Sequence, residues 1–120
     1  MNKKILSLII IIIISGTAQI TFAEVYFMSG NSLIAGWREH KKILTGQTDE
    51  VDYLKASRFI GYVIGVADTR SKPINLPEGA TMDQLCMIVG EYLEKHPEEW
   101  AEVGSTIVEK AIKKAFNKNK

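Results

Sequence analysis

The chain has 120 residues, of which 15 are basic and 14 acidic, with two histidines and one cysteine. So even a balance gives no electrostatic case for nucleic acid, whose binding rests on neutralising many phosphates with Lys and Arg. The single cysteine, Cys86, excludes an internal disulfide, and the length suits one domain with one apolar core.

Residues 1–23 read as an export signal. Lys3 and Lys4 make a positive start, an isoleucine-rich run broken only by Ser7 extends to Ile14, and small residues recur at Ser15, Gly16, Thr17 and Ala23. That is the charged, apolar, small-residue order of a cleavable signal peptide. Cleavage is placed after Ala23, with Ala18 as second choice. Extended to Phe22, the run makes a marginal span against the roughly 20 residues a bilayer needs, so an uncleaved anchor is the alternative. The lysine pair and the absence of an anchor after cleavage point to a bacterial periplasm. The division is therefore 1–23 signal peptide and 24–120 helical domain. Lys3 and Lys4 are the only charges in the leader, so the remainder stays near neutral.

Four helices are expected. The first spans 32–44, capped by Asn31 or Ser29 and stopped by Gly46, with Leu33, Trp37 and Leu44 on one side and Ile34 beside them. The second runs from about 49 to 70, with Asp49, Glu50 and Asp52 at the positive end of its dipole. Residues 59–67 carry no charge and read as the central, buried helix. Gly61 and Gly65 each cost about 1 kcal/mol against Ala in a helix. They share a narrow face with Ser57 and Asp68, which invites close packing by another helix of the chain or by a second copy.

Residues 71–80, with Pro73, Pro77 and Gly79, read as a loop suited to recognition. The third helix opens with the capping box Thr81 and Gln84 and runs to 95. Its apolar stripe is Met82, Leu85, Ile88, Val89, Tyr92 and Leu93. Cys86 sits at the stripe's edge, and Met87 is exposed among polar residues. His96-Pro97 leads into a short turn through Trp100. The fourth helix runs from 104 or 105 to 116, burying Ile107, Val108, Ala111, Ile112, Ala115 and Phe116. The fold class is thus all-α: a small four-helix domain with a buried central helix.

No catalytic constellation is legible. His96 lies ten residues beyond Cys86, about 15 Å along a helix and out of reach. The histidines and the cysteine do not supply the four ligands of a zinc site. A binding protein without cofactor is expected, not an enzyme.

Three stretches carry a resemblance: Phe59-Ile-Gly-Tyr-Val-Ile-Gly-Val-Ala-Asp68, Leu76-Pro-Glu-Gly-Ala-Thr-Met-Asp-Gln-Leu85 and Tyr92-Leu-Glu-Lys-His-Pro97, followed by a helix ending Ala115-Phe116. In this order and spacing, over residues 29–116, the chain resembles the periplasmic immunity proteins of type VI secretion amidase effectors, often called the Rap/Tai type. The resemblance implies an all-helical, commonly dimeric protein that binds and blocks an injected peptidoglycan amidase. It also implies that cysteine pairs of relatives fall here at Trp37 with Phe59 and at Asn75 with Lys118. A periplasmic adaptor or chaperone-like protein is the alternative function. On the leading reading, the contact residues are Lys72, Asn75 and Glu78 of the loop with Asp83 and Met87 of the third helix. Gly61 and Gly65 serve helix packing or a homodimer, and Asp68 orients the loop by accepting a hydrogen bond from it.

Overall fold

A computed structural model describes residues 27–117. The export signal expected over 1–23 and the position of Lys118 lie outside the described residues. Four α-helices make up the domain: α1 (Gly30–Leu44), α2 (Tyr53–Arg70), α3 (Met82–Lys95) and α4 (Gly104–Phe116), with a 3-10 turn, Pro97–Glu99, after α3. Among the described residues there is no β-strand, and one isolated bridge joins Ser29 to Val103. No helix among them is long and apolar enough to cross a membrane.

The caps explain the helix starts. Ser29 Oγ accepts the Ser32 amide at 3.3 Å, so α1 begins at Gly30, ahead of the expected start. Helix α2 begins at Tyr53 rather than near 49. Asp52 caps it by accepting the Lys55 amide at 3.1 Å, and Glu50, at φ 60°, cannot continue a right-handed helix. At α3 both halves of the capping box are formed: Thr81 Oγ1 accepts the Gln84 amide at 3.2 Å, and Gln84 Oε1 accepts the Thr81 amide at 3.0 Å. Helix α4 has no side-chain cap; its first amide, Gly104 N–H, donates to Met28 O at 2.8 Å. Gly30 N–H to Glu102 O and Asn31 N–H to Trp100 O complete a clip between the start of α1 and the connector before α4. Backbone groups that helix ends leave unpaired are thereby satisfied.

Each helix contributes a buried stripe to one core. Leu33, Ile34 and Trp37 come from α1, Phe59, Val63 and Ala67 from α2, Leu85, Cys86, Val89 and Leu93 from α3, and Ile107, Val108, Ala111 and Ile112 from α4. Helix α2 touches all three other helices and packs most extensively on α1. Leu44 and Met82, assigned to buried stripes from their spacing, are exposed. Both sit at helix ends, and a periodic stripe is buried only where a neighbouring helix covers it. Cys86 is fully buried rather than at the edge.

Close helix approach occurs at glycines other than those expected. A methyl group on Gly36 would stand 2.7 Å from Lys55 O and Phe59 Cβ, and one on Gly90 would collide with the indole carbons of Trp37. At Gly61 and Gly65 nothing lies within 4 Å of such a methyl. The expectation that Gly61 and Gly65 receive another helix of the same chain is therefore corrected: their face of α2 points to solvent. The α1–α2 contact uses the side of α2 that carries Ala56, Phe59 and Val63.

Candidate partner-binding surface

The loop between α2 and α3 is ordered by its own backbone and one anchor. Ile74 N–H donates to Arg70 O at 3.0 Å, Leu76 N–H to Ser71 O at 3.1 Å and Ala80 N–H to Pro77 O at 3.2 Å. Asn75 and Gly79 adopt left-handed conformations, φ 50° and 84°, which these two residue types accept readily. Ile74 is fully buried, and Leu76 packs against the core from a partly buried position. The loop is thus pinned at its centre while Lys72, Asn75 and Glu78 stay exposed. Spacing and composition alone do not reveal the anchoring by Ile74. The available signal was a large apolar residue within a turn-rich, otherwise polar stretch.

Helix α3 follows directly. Asp83 is exposed in its first turn, and Met87 lies four residues on, on the same face, with 39% of its surface accessible. The side chains of Lys72, Glu78 and Asp83 have no ion-pair partner among the described residues. Such an edge combines a conformationally fixed loop, both signs of charge and a pliable thioether, all free to engage a partner.

Asp68 departs from expectation. It is exposed on the open face of α2 and accepts no hydrogen bond from the loop among the described residues. The backbone bonds and Ile74 hold the loop instead. The last turn of α2 is occupied by Thr69, whose hydroxyl donates back to Gly65 O at 2.9 Å.

Reactive groups are tied up structurally. Burial first, and the nearby Asp83 charge second, push the Cys86 thiol up to about 11, which makes the thiolate rare at neutral pH. His96, Glu98 and Glu99 hold their potential ligand atoms within 4.8 Å of one another. Sequence spacing had presented His96 as isolated; the Pro97–Glu99 turn folds the two carboxylates back to it. Each is already engaged. His96 Nδ1 meets Glu98 Oε1 at 2.9 Å and its Nε2 meets Lys114 Nζ at 3.2 Å. Glu99 accepts the Tyr92 hydroxyl at 3.1 Å and pairs with Lys110 at 3.4 Å. The hydrogen bond from His96 holds Glu98 below the usual carboxylate range, and burial, then the bond to Glu99, raises Tyr92. Two ammonium groups in this cluster oppose a bound cation, and the arrangement reads as a brace between the α3–α4 connector and α4.

A compact helical scaffold with an anchored, exposed loop and thiol chemistry suppressed by burial belongs to the class of small protein-binding domains. The family model of Rap1a immunity proteins matches residues 29–117, and the chain belongs to that family. Membership implies a protein effector as the partner, in a family that is generally non-catalytic. No curated protein and no solved structure gives a significant match.

Proposed function

We propose that this protein protects its host in the periplasm by binding and blocking a peptidoglycan amidase delivered by type VI secretion. The family match across residues 29–117 carries this reading. The leader-like order of residues 1–23 supports export to the compartment where such an amidase meets peptidoglycan. Inhibition is steric: the 71–80 loop and the exposed face of α3, with Lys72, Asn75, Glu78, Asp83 and Met87, enter or cover the amidase groove. A few anchors then carry most of the binding energy. Gly61 and Gly65, open on α2, are left for a second copy in a homodimer.

Deletion of the gene tests the reading. Deletion cells mixed with kin that inject the amidase should lose viability. The full chain should rescue them, and a chain lacking residues 1–23 should not. Equal survival of deletion and parent cells would remove the proposal.

A further inference from the structure

A second surface stands apart from the loop and α3. Between the start of α1 and the first half of α2 lies an open groove of about 390 Å³. Phe27, Met28 and Ala35 give it an apolar wall, and Ser32, Lys55 and Arg58 a polar one. Phe27 is 97% exposed, an unusual position for a phenyl ring on a small soluble domain. Arg58 is exposed, and its guanidinium has no partner among the described residues. Lys55 is held at 3.2 Å by Asp52, which does not line the groove. No acidic residue lines it, and the first turn of α1 contains none either. The local field is therefore positive beside an apolar wall. A guanidinium fork matches a carboxylate through two parallel hydrogen bonds.

We propose that this groove docks an extended segment of a partner protein in which an Asp or Glu side chain stands next to a large apolar one. The carboxylate pairs with Arg58 and the apolar neighbour covers Phe27 and Met28. Charge complementarity selects this occupant: a basic segment is repelled by Arg58, whose charge no lining carboxylate offsets, and a purely apolar one leaves Arg58 unpaired against its flank. The surface is separate from the edge assigned to the effector above, so the protein can hold a second segment, or a remote part of the same partner, while that edge is occupied.

The test uses the isotope-labelled chain purified from cells expressing the full gene, and two peptides, acetyl-Gly-Phe-Asp-Gly-amide and acetyl-Gly-Phe-Asn-Gly-amide. The Asp peptide should shift the amide resonances of Ser32, Ala35 and Arg58 and bind about fivefold more tightly than the Asn peptide, the contribution of one exposed charged pair. Arg58→Ala should erase that preference while the thermal unfolding curve stays in place, and Arg58→Lys should restore part of it. Equal shifts with both peptides, or shifts confined to other helices, would overturn the proposal. So would movement of the same amides on Glu24→Gln without peptide, which would assign the groove to the chain's own Glu24. Concentration-dependent shifts of the Ser32 and Ala35 amides on α1 without peptide, away from the Gly61 and Gly65 face, would assign it to a second copy and likewise overturn it.

Discussion

Trp37 and Phe59 pack against each other with ring centroids 5.7 Å apart and planes tilted by 51°, both out of contact with solvent. These are the positions where the family resemblance places a cysteine pair in relatives. In this chain an aromatic contact joins α1 to α2 at these positions. His40 completes the cluster, 5.9 Å from Trp37 and 6.1 Å from Phe59, with its Nδ1 buried and without a hydrogen-bond partner among the described residues. The Trp37 N–H points toward the Glu94 carboxylate without closing a hydrogen bond of ordinary geometry. Lys41, at 2.8 Å, is the main cause of that carboxylate's lowered pKa.

Truncation of either ring should be severe. Trp37→Ala and Phe59→Ala should each cost about 3–5 kcal/mol of unfolding free energy. The double variant should fall short of the sum by about 0.5–1.5 kcal/mol, the coupling of an aromatic pair. Urea denaturation of the four proteins gives both numbers; strict additivity would mean the rings stabilise independently.

The glycines divide into two groups. Gly36→Ala and Gly90→Ala should destabilise by about 1–3 kcal/mol, because the added methyl meets Lys55 O and Phe59 in one case and the Trp37 indole in the other. Gly61→Ala and Gly65→Ala should stabilise the monomer by up to about 1 kcal/mol each, since the space is open and Ala favours the helix. Sedimentation of the same variants reads the homodimer: if α2 pairs through these glycines, the two substitutions weaken self-association while raising monomer stability.

Ile74, not Asp68, should control the loop. Ile74→Ala should cost about 2–5 kcal/mol and speed amide exchange at Asn75 and Leu76, because it removes the buried anchor. Asp68→Ala should stay within about 0.5 kcal/mol of the parent, as for surface positions generally. Hydrogen exchange over residues 71–80 separates the two outcomes.

Much of this architecture was legible in the residues. The capping box at Thr81 and Gln84, the periodic stripes of α3 and α4 and the turn-rich 71–80 segment each announce themselves locally. What was not legible depended on which helix covers which face. Gly61 and Gly65 stand out by their spacing, yet spacing cannot say that α1 meets α2 along Phe59. Gly36 and Gly90 sit inside apolar stripes, and their role emerges only once Trp37 and Phe59 are placed. Of the candidate surface, the exposure of Lys72, Asn75, Glu78, Asp83 and Met87 follows from a polar loop and a polar helix face. The loop's anchoring does not, because Ile74 reaches the core through tertiary packing alone.

Cys86 gives a pH signature. Its thiol stays protonated in the folded chain up to about 11, against an ordinary value of 9.0. The unfolded chain releases that proton first, so the native state holds more protons between these values and stability falls as pH rises through the window. Cys86→Ala should lose less stability than the parent from pH 9 to 11, with parallel curves below pH 8. Native protein should also resist thiol reagents until it unfolds. Rapid labelling at pH 7 would show that the thiol is accessible.

The loop and α3 edge should set affinity for the effector without setting stability. Lys72→Glu and Met87→Asp change exposed side chains, so thermal unfolding should move little. A central anchor in an interface is worth about 2 kcal/mol or more, so at least one substitution among Lys72, Asn75, Glu78, Asp83 and Met87 should weaken binding about thirtyfold. The decisive measurement is peptidoglycan hydrolysis by a type VI amidase effector of the kind proposed, titrated with the purified protein. Activity should fall linearly to zero at a fixed stoichiometry, and the weakened loop and α3 variants should give a curved titration that needs more protein for the same inhibition. Undiminished hydrolysis in the presence of excess protein would contradict it.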